Sequence, residues 1–395
     1  MCGLTQASFP PLSCPWTISC TFLPSVRYAV LAAIIAVPLL STACVPAGVD
    51  NPSSRRLKTS ERAELIKRAQ VWKATDVSSK DIKSGPDAKG AFPPGETVTC
   101  DYVKERLGGN SPKFACAIAP NDKVKVRFGR ANGEIYAGVA ATRLLWALGF
   151  GADPLYPVRV VCRGCPAEFA AEGDAAPGQI VFDLAAIERK MPGHELVGPG
   201  MDPGWTWPEL DRVDEGAGGA MAAQRDALKL LAVFLQHTDN KQEQQKLLCL
   251  DEKIEGAGAG CVRPFMMIHD VGMTFGRANS FNRDALGSAN LEQWAGTPIW
   301  RDAKHCVASL SQSQTGTLAD PVILEGGRKL LADLLGQLTD RQLQDLFEVA
   351  RFGNRSPPGG AGAAAPVSAW VDAFKHKREE IAGGSCGGSG NRVIG

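Results

Sequence analysis

Five short stretches of this chain carry residue types that can do chemistry, and they come in a fixed order. A turn running from Leu107 to Lys113, with Gly108 and Gly109 near its start, joins two β-type runs. A third β-type run, Lys123 to Phe128, carries Lys125, and Glu134 opens the helical run after it. The segment from His237 to Gln245 gathers Asp239, Asn240, Glu243 and Gln244. Asp270-Val-Gly-Met-Thr-Phe-Gly276 follows a further strand. The common catalytic motifs GxxxxGK[ST] and HExxH are absent. The glycine-alanine run from Gly256 to Gly260 precedes a strand, so it cannot be a dinucleotide fingerprint, which opens a helix after a strand. Cys162-Arg-Gly-Cys165 could form half of a zinc site, but a tetrahedral site needs two more ligands and there is no second CxxC.

The order of the five stretches resembles the protein-kinase-like superfamily, and most of all its atypical branches: phosphatidylinositol kinases, HipA-like kinases and the Golgi secretory kinases. In those families a catalytic Asp lies in a loop reading roughly D-R-H-x-x-N, or the same with Glu last, and a metal-binding Asp follows in D-x-G. HTDNKQEQ and HDVGMTFG look like those two pieces, and the resemblance covers about residues 97 to 276. It implies ATP and Mg²⁺ as cofactors. It implies that Asp239 orients the acceptor hydroxyl, and that Lys125 holds the nucleotide phosphates and is itself held by Glu134. Gly108 and Gly109 would cover the phosphates. Asp270 would bind Mg²⁺, helped by an oxygen five residues past Asp239, which is Gln244, or by Asn240 or Glu243 nearby. Phosphoryl transfer is mostly positioning and charge neutralisation, and Mg²⁺ prefers hard oxygen donors, so these residue types suit it. Two positions depart from the pattern: Gln244 stands where the families have Asn or Glu, and Asn240 where the lipid kinases have Arg.

Each residue has a plainer reading. Lys125 could be one of three basic residues on a solvated strand face, with Lys123 the next candidate for the phosphates. Glu134 could be a first-turn glutamate favoured by the helix dipole. His237 and His269 read as packing or hydrogen-bonding residues, since no carboxylate or Cys shares their spacing. Trp205 and Trp207 read as core residues.

The elements that must position these residues are legible in outline. Ser60 to Ala74 reads as a helix and Asp76 to Pro94 as a loop. Val98 to Val103, Phe114 to Ala119 and Lys123 to Phe128 read as an antiparallel meander. In the third run Val124, Val126 and Phe128 share one face and Lys123, Lys125 and Arg127 the other. A helix from Glu134 to Leu148, closed by Gly149, and strands at Val158 to Cys162 and Gln179 to Asp183 follow. Ala222 to Gln236 is a strongly amphipathic helix. Leu247 to Leu250 and Phe265 to His269 read as a strand pair whose loop Cys249 and Cys261 could clip. Arg328 to Leu335, Asp340 to Arg351 and Val367 to Ile381 are helical. The fold class is α+β: a two-lobed, kinase-like arrangement with a small antiparallel β-sheet lobe and one helix (96–185), and a larger, mainly helical lobe (186–354). A tether and helix (45–95) precede them. A linker (355–366) and a C-terminal helix with a disordered tail (367–395) follow.

Val26 to Cys44, VRYAVLAAIIAVPLLSTAC, reads as a secretion signal. Arg27 supplies the positive end, Tyr28 to Leu40 the apolar core, and Ser41-Thr42-Ala43 the small residues before cleavage. The apolar run is about 13 residues, short of the ~20 that span a bilayer. The signal is expected to start near Val26 rather than Met1, within an N-terminal region of residues 1–44. The site also resembles a lipoprotein box, which would anchor the chain to the membrane through Cys44, although Ser41 stands three places before the Cys. Beyond Cys44 the cysteines are 100, 116, 162, 165, 249, 261, 306 and 386, an even set that fits disulfides in an oxidising compartment. With 44% hydrophobic residues and a formal charge of +1, nothing argues for nucleic-acid binding. The sequence is thus read as an exported protein of the periplasm or cell envelope. It would transfer phosphate from a nucleotide to an unknown acceptor, or be a pseudokinase or binding lipoprotein that kept the fold and lost catalysis.

Overall fold

The computed structural model describes residues 54–198, 204–251, 260–276, 288–311, 315–356 and 363–386. The expected secretion signal, Cys44, most of the glycine-alanine run and the tail after Cys386 lie outside these. All described residues belong to one compact unit, Asp50–Gly395.

The meander expected from the alternating pattern forms as β2 (Thr97–Val103), β3 (Lys113–Ala119) and β4 (Asp122–Phe128), numbered after a short β1 (Ser54–Arg56). Val124, Val126 and Phe128 point into a shared apolar interior. It continues with β5 (Leu155–Arg163), β6 (Asp174–Ala176) and β7 (Gln179–Glu188). Phe128 stacks obliquely against Phe114 and Phe182, with ring centroids 5.4 and 4.7 Å apart.

The sheet is not a simple antiparallel one. Its order is β4-β3-β2-β5-β7-β6, and β4 also pairs with β7, closing five strands into a barrel. β2 and β5 run parallel, Thr97 opposite Arg159 through Asp101 opposite Arg163. The closing ladder runs from Lys125–Glu188 to Phe128–Ala185. Closure satisfies the backbone groups that an open edge would leave unpaired.

The helix α1 covers Thr59–Lys67 and stops well before the expected Ala74. The main chain beyond it has other partners: Gln70 donates to Pro264 O and accepts from Met266 N, and Lys73 donates to Gly149 O. A strand-like crossing replaces the last helical turns.

The helix α2 (Gly133–Ala147) is capped by Asn132 and buried along almost its whole length between barrel and helices. Gly149 ends it at a φ of +88°, and a Cβ there would lie 2.1 Å from Lys73 O, so only glycine fits this crossing.

The remaining elements are β8 (His194–Val197), α3 (Trp207–Leu210), α4 (Ala222–Leu235), β9 (Gln245–Cys249), β10 (Pro264–Ile268), α5 (Leu291–Gly296), β11 (Trp300–Asp302), β12 (Val307–Ala308), α6 (Glu325–Gly336), α7 (Asp340–Val349) and α8 (Val367–Gly383). A second sheet has the order β1-β8-β9-β10. Helices α4 to α8 bury an aromatic core of Phe234, Trp294, Phe347, Trp370 and Phe374. Trp205 and Trp207 are fully packed against each other, as expected of core residues. Among the described residues no helix is long and apolar enough to cross a membrane.

The cysteines pair as Cys100–Cys116, Cys162–Cys165, Cys249–Cys261 and Cys306–Cys386. The first joins β2 to β3, and the third clips the β9–β10 loop as its spacing suggested.

Candidate functional site

β4 runs from solvent toward the helix α2, and its polar face changes character along the way. Lys123, at the outer end, pairs with Glu105 at 2.6 Å with both side chains largely in water. Lys125, in the middle, lies 2.6 Å from Glu188 Oε2. Arg127, at the inner end, keeps 2% of its side chain exposed and meets three carboxylates. Its Nη1 donates to Glu134. Its Nη2 lies 3.3 Å from Glu188 Oε2 and 2.8 Å from Asp270 Oδ2. The ion pair expected between Lys125 and Glu134 is therefore not the one present: Glu134 pairs with Arg127, and Lys125 with Glu188. The pleat explains it. Arg127 is two residues nearer α2 on the same face, so it reaches the first helical turn.

Glu134 is held in place from both ends. Its backbone N donates to Asn132 Oδ1 (3.2 Å), and the Asn132 amide donates to Pro112 O and Phe128 O, tying the helix start to β3 and β4. Ser111 Oγ donates to Glu134 Oε2 at 2.7 Å, and Lys113 Nζ lies 3.1 Å from that hydroxyl. Burial, with Arg127 close by, pushes the Lys113 amine down from its ordinary range. Gly109, at a φ of +81°, passes so near that a Cβ would stand 2.7 Å from Lys113 Nζ, while Gly108 faces open space. The glycine turn thus reaches the cluster through Lys113.

The second half of the site comes from the segment after α4 and the turn after β10. Gln244 joins them. Its backbone carbonyl accepts from His269 N (2.7 Å) and Asp270 N (3.3 Å), and its side-chain amide donates to Asp239 Oδ2 at 2.7 Å. Burial pushes the Asp239 carboxyl up; Lys241 and Gln244 oppose this, and the negative charges of Asp270 and Glu134 add to the rise. Asp270 behaves oppositely: burial would raise it, but Arg127 and Lys125 hold it well below the usual carboxylate range. Its Oδ1 accepts from Gly272 N (3.1 Å), shaping the D-x-G turn. His237 is fully buried, burial lowers it to about 4, and neither ring nitrogen has a hydrogen-bond partner among the described residues.

The sequence-derived set is thus partly assembled. Glu134, Asp239, Gln244 and Asp270 converge, and Lys125 joins them through Glu188. Asn240 does not. Its amide donates to His237 O and Leu318 O, and its Oδ1 accepts from Thr317 N and Leu318 N, so it ties down residues 317–318 instead of facing a metal. Glu243 faces solvent. Sequence reasoning passed over Arg127 and Glu188. The signal for Arg127 was present, since it shares the face of Lys123 and Lys125.

A second charge network lies behind Glu188. Asp153 Oδ2 is 2.7 Å from His269 Nδ1, 3.2 Å from Lys246 Nζ and 3.4 Å from Lys190 Nζ. Asp153, Glu188 and His269 bring ligand atoms within 4.8 Å of one another. Lys125, Arg127, Lys190 and Lys246 already neutralise them, so this is an ion-pair network bracing the turn before Asp270. The remaining hard oxygens here are the carboxylates of Asp239 and Asp270, joined through Gln244, whose side-chain amide meets the first and whose backbone carbonyl meets the turn of the second.

Helix and turn meet at Gly272. A Cβ there would lie 2.9 Å from both Cβ and Cγ of Glu134, and Gly138 on the next turn of α2 passes close to the same glycine. Gly272→Ala is expected to push Glu134 off Arg127 and to cost about 1–3 kcal/mol by overpacking. Urea unfolding reads this directly, and an unchanged midpoint would show that the contact is slack.

No family model matches the chain, and no curated protein matches its sequence. Among solved structures it is similar to the crystal structure of a Helicobacter pylori proinflammatory kinase, CtkA. The TM-score is 0.38 at 10% identity, over 74% of this chain and 95% of that one. A superposition at that level fixes neither fold nor function.

Proposed function

We propose that this chain is an exported protein with a kinase-like, two-lobed fold that uses ATP and Mg²⁺ to transfer phosphate to a hydroxyl acceptor. The observation that carries the reading is the Arg127 junction. One strand cation contacts the first-turn glutamate of the barrel's helix and the aspartate of D-x-G at once. Gln244 ties Asp239 to the same turn, its amide on the Asp239 carboxylate and its backbone carbonyl on Asp270 N. A strand cation held by a helix glutamate beside a D-x-G aspartate is the kind of positioning that phosphoryl transfer uses, and this supports the reading.

In this reading Arg127 takes the part expected of Lys125, with Lys113 and Lys125 flanking it as further cations for the phosphates. Asp270 and the side-chain carbonyl of Gln244 would hold Mg²⁺, which when bound supplies neutralisation of the phosphate charge. Asp239 accepts the proton of the acceptor hydroxyl, and its raised carboxyl makes it a stronger base than an ordinary aspartate. The disulfides fit an oxidising compartment, the periplasm or cell envelope, and lipidation of Cys44 would tether the protein there. Because ATP is scarce in that location, the donor supply is itself part of the proposal.

A second reading, a catalytically inactive pseudokinase or binding lipoprotein of the cell envelope, is favoured by one feature. Arg127 already occupies Asp270 Oδ2, and Gln244 replaces the customary anionic or Asn ligand. Thermal stabilisation by ATP with and without Mg²⁺, alongside transfer of labelled γ-phosphate, separates the two. Under the first reading the wild type is stabilised by the pair and transfers phosphate. Asp239→Asn then loses about 10²–10⁴-fold in transfer while still binding nucleotide, and Asp270→Asn loses the Mg²⁺ dependence. Stabilisation without transfer selects the pseudokinase, and no response to nucleotide at all rejects the phosphotransferase.

A further inference from the structure

Away from this site, on the side where the crossing segment 70–75 passes over the barrel helix, the fold leaves a cavity of about 700 Å³. Its origin is topological. The crossing segment bridges Phe265 of β10 through Gln70 and Phe150 through Trp72, and the space lies between those two attachments. Phe150 and Phe265 are buried in its floor, and Trp72 and Trp146 form half-exposed walls. Val262 stands 74% exposed at its lip, an apolar side chain presented to solvent beside an apolar hollow.

The polar lining has one sign. Arg68, Lys73, Lys80 and Arg263 line the cavity, and no Asp or Glu does among the described lining residues. Arg263 is committed to Asp251 at 2.8 Å. Among the described residues, Arg68, Lys73 and Lys80 have no ion pair with a carboxylate. Lys80 instead rests over the ring of Trp146, 4.9 Å from its centroid. The volume lies in the range of small-molecule sites, which pair an apolar body with a few placed polar groups. An aromatic floor under unneutralised cations selects a ligand with an apolar body and an anionic end. A neutral apolar ligand would leave the cations unused, and a small polar anion would leave the aromatic floor wet.

We propose that this cavity binds a monomeric anionic amphiphile, an acyl or aryl body against Phe150, Phe265, Trp72 and Trp146 with its carboxylate, phosphate or sulfonate on Lys73 and Lys80. The site is independent of the nucleotide reading, because it shares none of the residues assigned to phosphate transfer.

The test uses the full oxidised chain and two fluorescent probes of similar shape, 8-anilinonaphthalene-1-sulfonate and neutral N-phenyl-1-naphthylamine. The sulfonate is expected to bind one-to-one, with energy transfer from tryptophan, and to be displaced by dodecyl phosphate but not by dodecyl maltoside. Lys73→Gln with Lys80→Gln weakens the sulfonate about tenfold and leaves the neutral probe within about twofold, as loss of one exposed and one half-buried charge contact predicts. Ala74→Trp, at an exposed position on the cavity wall, excludes both probes. Equal weakening of both probes by the lysine pair overturns the proposed polarity. Binding indifferent to Ala74→Trp overturns the location. Association with phosphatidylglycerol vesicles without displacement by monomeric dodecyl phosphate means a membrane surface is recognised instead, which also overturns it.

Discussion

Arg127→Met is expected to destabilise the protein by about 3–5 kcal/mol near pH 7, and the deficit is expected to vanish toward pH 4 and below. The guanidinium is buried and contacts Glu134, Glu188 and Asp270 together. Removing it leaves carboxylates buried with too little positive charge, which costs far more than an ion pair at the surface. The pH dependence identifies the cause. In the wild type, burial alone would raise Glu188, but Lys125 and Arg127 reverse this and hold it at about 2. Asp270 is likewise held low. Groups with depressed folded pKa contribute stability that is present above their unfolded value, near 4, and is lost as pH falls through the folded value. Without Arg127, burial dominates and the folded pKa values rise above the unfolded ones. These groups then oppose folding near neutrality and cease to do so once protonated. The variant should therefore gain stability as pH falls from about 7 to 4, where the same groups leave the wild type level or declining. Denaturant unfolding at several pH values measures both slopes. A deficit that does not change with pH would mean that Arg127 acts by filling space. Lys125→Met is the comparison: that side chain is 22% exposed, and Glu188 would keep Arg127 and Lys190, so a loss of only about 1 kcal/mol is expected.

Lys125, the expected phosphate cation, and Arg127, which makes the buried contacts, differ in depth. Alternation along β4 put Lys123, Lys125 and Arg127 on one face, and that face is real. The pattern carries no information on how far the strand dives, and here one face runs from water at Lys123 to complete burial at Arg127. Glu188 was hidden for a related reason. β7 continues five residues beyond the expected end at Asp183, with a register shift near Val158 and Val160 that breaks simple pairing. The parallel β2–β5 ladder and the β4–β7 closure join residues far apart in sequence, and turn signals report only local pairings. Local features were legible: the meander, the helix opened by Glu134, the β9–β10 hairpin with its cysteine clip, and the D-x-G turn. The early end of α1 was not, because Gln70 and Lys73 find backbone partners on β10 and at Gly149 that no helical periodicity records.

Loss of the Cys306–Cys386 disulfide, by Cys306→Ser with Cys386→Ser, is expected to lower stability by about 4.5 kcal/mol while leaving the folded spectrum unchanged. The bond closes a loop with a sequence separation of 80, against 3 for Cys162–Cys165. Loop-closure entropy makes the short one worth less than ~2 kcal/mol. The folded spectrum should survive because α8 is held without the bond. Trp370, Phe374 and Ile381 are buried in the helical core, Arg328 Nη1 donates to Ile381 O at 2.7 Å, and Glu380 accepts from Ile299 N and Trp300 Nε1. The disulfide therefore acts mainly on the unfolded chain, whose freedom it removes. Equilibrium unfolding of the double variant, beside Cys162→Ser with Cys165→Ser, tests the ranking, and equal effects from the two pairs would refute the loop-length argument.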